Sequence, residues 1–152
     1  MKHYLAVVVT LLGSVLAPQN ALACSCPLGT DLQSSFDDAT IVVAATAIAV
    51  STGATTSIPR SHGREVRAQT VEWEVVETWK GQYQPKQRFT TQTIVQCCVC
   101  GYSTRQGVAY ILYLYKGAPL TVSSCSRTSE LVDALKDVPE LYRLSKESPN
   151  GT

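Results

Sequence analysis

Charge is scarce in this chain of 152 residues: Lys and Arg total 13, Asp and Glu total 12, and together they make up 16% of it. That balance argues against a disordered polyelectrolyte and against a nucleic-acid binder working by bulk charge. Methionine occurs only as Met1, and the two histidines, His3 and His62, stand far apart. A Ser, His and Asp set for nucleophilic catalysis cannot be argued from them, so no enzyme and no cofactor is expected. After the first twenty-odd residues no apolar run approaches the roughly 18 that a spanning helix needs, so no membrane span is expected. What the chain does have is 45% hydrophobic residues, enough for one core, and six Cys, which point to disulfides in an oxidising compartment.

The N-terminus sets that compartment. Lys2 and His3 precede an almost unbroken apolar run from Tyr4 to Ala17, and Ala21-Leu22-Ala23 is a small-x-small cleavage signal before Cys24. Residues 1–23 therefore read as a secretory signal peptide and 24–152 as one mature domain, secreted or periplasmic. A lipid anchor on Cys24 competes. A lipobox, however, wants Leu three places before the Cys, where this chain has Ala21.

Loss of Lys2 leaves the mature chain formally neutral. Its charges are nonetheless segregated: from Thr78 to Ser129 every charge is positive, at Lys80, Lys86, Arg88, Arg105, Lys116 and Arg127. A basic middle can steer an acidic partner. The plainer reading is that these are the outward positions of sheet strands.

Thr30 and Gln33 have capping-box spacing, predicting a short helix to about Asp38. Ile41 to Val50 is apolar on both faces and reads as a buried strand, and Ser51 to Gly63, rich in Ser, Thr, Gly and Pro, reads as a loop. Val71, Trp73 and Val75 alternate with Thr70, Glu72 and Glu74 in a strand that ends at Trp79-Lys80-Gly81. Gln87 to Val95, Val108 to Tyr115 and Leu120 to Ser123 complete five strands. Leu131, Leu135 and Val138 then fall at helical spacing behind Ser129, with Pro139 expected to end or break that helix. The fold class so predicted is mainly β: a five-stranded antiparallel barrel, closed or nearly so, with a short N-terminal and a C-terminal helix. Trp73 and Trp79 read as core and barrel-edge packing, and Tyr110, Tyr113 and Tyr115 as ordinary strand residues.

The cysteines are Cys24, Cys26, Cys97, Cys98, Cys100 and Cys125. Near neighbours rarely pair because so short a ring strains the bond. Cys24 and Cys26 should each reach a distant partner, tying the mature N-terminus to the barrel at about 4 kcal/mol per bridge on the chain-entropy account. Two other uses of the middle cluster stay open. Cys97 and Cys100 have C-x-x-C spacing, but a strand-like segment follows where a redox centre would have a helix. A thiolate site for a soft metal, from Cys97, Cys98, Cys100 and the N-terminal pair, is the other.

Cys24-Ser25-Cys26, the E-V-V-E-T-W-K-G stretch ending at Gly81, Cys100-Gly101, the apolar strand from Val108 to Tyr115, and S-S-C-S-R-T from Ser123 to Thr128 together resemble bacterial members of the tissue-inhibitor-of-metalloproteinases family, a branch of the netrin-like modules. The resemblance spans nearly the whole mature chain. It implies an OB-like five-stranded barrel and disulfides Cys24–Cys100 and Cys26–Cys125. It leaves Cys97 and Cys98 unassigned, as a vicinal disulfide, a bond to another chain, or thiols.

Cleavage after Ala23 would give Cys24 a free α-amine with a typical pKa of about 8, partly neutral near pH 7. That amine and the carbonyl oxygen of the same residue form a five-membered chelate that can take the open position of a protease's catalytic zinc. The displaced water is the protease's nucleophile. On the resemblance, the inhibitory contact is made by Cys24, Ser25, Cys26 and Pro27, with Cys24 binding the metal in trans. Ser25 would enter the primed-side pocket, and its small polar side chain predicts weak or selective inhibition. Pro27 would stiffen the exit by fixing φ. The expected partner is a zinc metalloprotease or, if chelation is not retained, another extracytoplasmic protein held by a non-inhibitory netrin-like module; an envelope metal or redox role for Cys97 to Cys100 is the third reading.

Overall fold

The computed structural model describes Cys26 and residues 31–55, 65–95 and 100–148. Helix α1 (Leu32–Asp38) is capped by Asp31 instead of by the Thr30–Gln33 box. The Asp31 carboxylate accepts from the Ser34 backbone N at 2.9 Å and from its hydroxyl at 2.9 Å. A carboxylate suits a helix N-terminus because it satisfies an orphan N–H and opposes the dipole. The Ser34 backbone bond also holds the Asp31 carboxyl below its usual pKa.

Six strands follow: β1 (Ile41–Thr55), β2 (Val66–Lys80), β3 (Arg88–Ile94), β4 (Ala109–Leu114), β5 (Leu120–Thr121) and β6 (Ser129–Glu130). They form one sheet in the order β5-β3-β2-β1-β4-β6. Strand β1 is central, paired antiparallel with β2 and with β4, so its apolar N-terminal half is covered on both faces and hydrogen-bonded on both edges. That is the physical content of its unbroken Val, Ile and Ala run. Its second half extends to Thr55 into the stretch expected as loop, since Ser51 to Thr55 ladder against Thr70 to Val66. Backbone pairing there needs no apolar side chain.

The five-stranded antiparallel expectation is corrected in two respects. The sheet has six strands and is mixed, because β5 runs parallel to β3 at Thr91–Leu120 and Gln92–Thr121. Its ladder is also open: among the described residues no strand pairing joins β5 to β4 or β6. Just past β5 the loop that follows β3 joins this edge, with Gly101 bridged to Ser123.

Strand alternation sorts the side chains into two cores. Ile41, Val43, Ala45 and Ala47 of β1 join Val71, Trp73 and Val75 of β2, Phe89 of β3, and Tyr110, Leu112 and Leu114 of β4 in one cluster that reaches Val122 just past β5. Trp73 is fully buried, packs edge-on to Tyr110 at 5.6 Å, and donates its indole N–H to Thr91 Oγ1 at 2.8 Å. Among the described residues no helix covers this face; Tyr83, Tyr102 and Val108 pack on it from loops. The opposite face carries Val42, Ala44, Ile111 and Tyr113 beneath Phe36 of α1 and Leu141 and Leu144 of the last helix. Each such side chain contributes on the order of 1.5–3 kcal/mol by leaving water.

The C-terminal helix differs from expectation. Ser129 and Glu130 pair with Ile111 and Tyr110 as β6, a 3-10 turn spans Leu135–Asp137, and helix α2 runs Val138–Glu147. Pro139 therefore opens the helix and does not end it. In the first turn its missing N–H would have had no intrahelical acceptor and its fixed φ is already helical. The apolar spacing of Leu131, Leu135 and Val138 misleads because Leu135 is 58% exposed. Neither helix is long and apolar enough to cross a membrane.

Candidate functional site

Among the described residues before α1, Cys26 is bonded to Cys125 across 99 residues with Cα atoms 5.1 Å apart. Cys100 is disulfide-bonded as well, to a partner outside the described residues. The Sγ atoms of Cys26, Cys100 and Cys125 lie within 4.8 Å of one another. Two loops, the one after β3 and the one after β5, thus meet the start of the chain in one sulfur cluster.

Each loop is fixed by its own sequence. Gly101 lies against the β3 backbone, and Ser123 holds Cys100 from the other side: its hydroxyl donates to Cys100 O at 2.8 Å, and the Ser124 N–H donates to the same oxygen at 3.1 Å. Ser123 Oγ also accepts from the Cys125 N–H at 3.1 Å. Ser126 Oγ lies 2.7 Å from Ser123 O and 2.9 Å from Thr128 Oγ1, and the latter accepts from the Tyr113 N–H at 3.1 Å. Arg127 reaches out to Asp137 at 2.9 Å. The S-S-C-S-R-T stretch is therefore a hydroxyl-knitted turn that presents Cys125 and ties it to β4 and to the 3-10 turn that leads into α2.

The loop after β3 is clamped further along. Thr93 Oγ1 donates to Val122 O at 2.8 Å and accepts from the Tyr102 N–H at 2.9 Å. The buried Gln69 amide forms a two-point clasp with Thr104, donating to its carbonyl at 3.1 Å and accepting from its N–H at 2.8 Å. Paired buried groups of this kind fix one conformation because either partner alone would be left unsatisfied. Burial raises the Tyr102 hydroxyl to a pKa of about 12.

Cys24, Ser25, Pro27, Cys97, Cys98 and His62 lie outside the described residues; of the residues expected at the inhibitory contact, Cys26 alone is described, and it is solvent-exposed. Disulfide bonding removes the thiolates of Cys26, Cys100 and Cys125 that nucleophilic or metal-binding chemistry would use. Trp73 and Trp79 are both buried, and Tyr110 and Tyr113 are buried in β4 while Tyr115 is 41% exposed just past it.

The basic middle is largely engaged within the fold. Lys80 donates to Phe36 O and Asp37 O at 2.8 and 2.9 Å, which caps the C-terminus of α1. Arg88 lies 3.6 Å from Glu72 and 3.3 Å from Glu74, and Arg105 lies 2.6 Å from Glu130. Sequence reading did not find Gln69 or Thr93, for which a polar residue at a core position of a strand was the available signal, and it met Ser123 only as part of the S-S-C-S-R-T motif, without its role. No protein-family model matches this chain, and no curated protein matches it.

Proposed function

We propose that the mature chain, residues 24–152, is a secreted or periplasmic inhibitor of zinc metalloproteases that acts through the α-amine and carbonyl oxygen of Cys24. The observation that carries this reading is the sulfur cluster: Cys26, two residues after the proposed terminus, is exposed yet bonded to Cys125, with Cys100 Sγ within 4.8 Å. A terminus anchored so close to its end is pre-organised, and little ordering entropy remains to be lost when it enters a cleft. The Cys24–Cys100 bridge implied by the resemblance would fix the chelating residue itself. The finer fold reading is a partly open OB-like barrel, supported by a core that runs from β4 round to Val122, with no covering helix among the described residues, and by the Gln69–Thr104 and Thr93–Val122 ties between distant segments.

Inhibition of a panel of zinc endopeptidases by the mature protein is compared with that by a version carrying one Ala before Cys24. Chelation requires the free amine at that position, so the added Ala abolishes inhibition while leaving the fold unchanged. Equal potency overturns the chelation mechanism. Absence of inhibition by either form leaves a non-inhibitory binding module.

A further inference from the structure

Two of the three cysteines in the sulfur cluster share a single holder. Ser123 donates its hydroxyl to Cys100 O at 2.8 Å and accepts from the Cys125 N–H at 3.1 Å, while the Ser124 N–H reaches Cys100 O at 3.1 Å. Gly101 is bridged to Ser123 as well. The backbones that carry the Cys100 and Cys125 sulfurs are therefore fixed to one another by hydrogen bonds. Cys26 has no part in that network. Its disulfide to Cys125 spans 99 residues, and it is exposed where Cys100 and Cys125 are half-buried.

All three Sγ atoms lie within 4.8 Å of one another, so the Cys100 sulfur sits beside a bond that joins the other two. Thiol–disulfide exchange needs a thiolate in reach of a disulfide sulfur, and it follows access and which sulfur is attacked. In the oxidised protein these three sulfurs hold no thiolate, because Cys100 is itself disulfide-bonded. A thiolate created at Cys125 has the Cys100 bond in reach at once.

We infer that the cluster is a thiol-triggered release for the segment that carries Cys26: a dithiol that opens the Cys26–Cys125 bridge leaves Cys100–Cys125 as the surviving bond. The external thiolate attacks the exposed Cys26 Sγ, forming a mixed disulfide and releasing Cys125 as thiolate. Cys125 Sγ then attacks Cys100 Sγ and forms Cys100–Cys125. The electron pair of the broken bond goes to the former partner of Cys100, which leaves as thiolate and takes a proton from water. The second thiol of the reductant displaces Cys26 from the mixed disulfide. Two protein disulfides and one dithiol thus become one protein disulfide, two protein thiols and one oxidised dithiol. Cys100 and Cys125 are favoured as the final pair because Ser123 keeps them side by side after Cys26 has left. A partner so held competes at a far higher effective concentration than one on a released segment. The release acts on whatever the anchored segment does and is independent of the inhibitory reading.

The folded mature protein is titrated with dithiothreitol until Cys26 reacts with N-ethylmaleimide, and its disulfides are then mapped by digestion and mass spectrometry. In chains alkylated at Cys26, Cys125 linked to Cys100 is expected to exceed alkylated Cys125 by about tenfold. Alkylation of Cys125 together with Cys26 overturns the proposal, as does a link from Cys125 to a cysteine other than Cys100, or a Cys26 that reacts only once Cys100 and Cys125 react too. Ser123→Ala removes the shared holder and should cut the excess about threefold. An undiminished excess would overturn the role given to Ser123, and the map of the unsubstituted protein decides the exchange itself should that variant not fold.

Discussion

Gly101 lies so close to Ile94 that a Cβ on it would stand 1.5 Å from the Ile94 carbonyl oxygen. No rotamer relieves such a contact, because a Cβ is placed by the backbone alone and the oxygen it meets is itself backbone. Gly101→Ala must push the loop off β3, taking Cys100 with it. The expected destabilisation is about 3 kcal/mol or more, at the upper end for overpacking, read as a lower midpoint in urea. An unchanged midpoint would mean that the loop does not pass there.

The Cys26–Cys125 bridge closes a loop of 99 residues. Replacing both cysteines by Ser relieves the unfolded chain of that constraint and is expected to lower stability by about 4.7 kcal/mol on the chain-entropy model. Equilibrium unfolding of the double variant, with native-like far-ultraviolet dichroism at low denaturant, checks this. A loss below about 1 kcal/mol would show that the denatured chain is held together by other means.

Burial raises the Tyr113 hydroxyl to a pKa of about 12, as it does that of Tyr102, from an ordinary value of 10.0. Above pH 10 the unfolded chain therefore ionises these tyrosines while the native state keeps their protons. The unfolded state then binds fewer protons, and stability falls as pH rises. Their contribution should be fully present below pH 10 and disappear through about pH 12, and Tyr113→Phe should make the alkaline decline shallower. Unfolding midpoints taken at successive pH values measure both slopes; an identical slope in the variant would contradict the assignment.

Pro139→Ala separates the two possible positions of the last helix. In the first turn of α2 the proline lacks no needed hydrogen bond, so its replacement changes stability by less than about 1 kcal/mol. A proline interrupting a helix would instead be releasing about 3 kcal/mol on replacement. A large gain in thermal midpoint would thus favour a helix running through this residue.

Much of the sheet was legible because β1, β2 and β4 carry their burial in their spelling: apolar on both faces for Ile41 to Ala47 and Ala109 to Leu114, strictly alternating from Thr70 to Val75. What was not legible depends on partners far away in sequence. Trp79 shares parity with Val71, Trp73 and Val75, and only the slips against β1 reveal that it faces the helices. Thr55 is a strand residue because Val66 pairs with it, a fact no local composition encodes. Leu131, Leu135 and Val138 mimic a helix because three residues at helical spacing also occur in a chain that passes from a short strand through a 3-10 turn. At the sulfur cluster the cysteines stood out at once. Gly101 and Ser123 were visible there only as members of the motifs that carry the resemblance; their scaffolding role was not, since a serine hydroxyl or a missing Cβ acquires meaning only when another backbone is beside it.

The clasp between Cys26 and Cys125 also imposes an order on biogenesis. Cys26 leaves the ribosome long before its partner exists, and it must pass over any cysteines of the intervening chain, at positions 97, 98 and 100, before Cys125 is synthesised. Correct closure then requires either that the N-terminal thiols wait or that early bridges be reshuffled once the last turn has emerged. A cell making this protein would accordingly benefit from a disulfide isomerase, and not merely an oxidant, in the compartment where it matures.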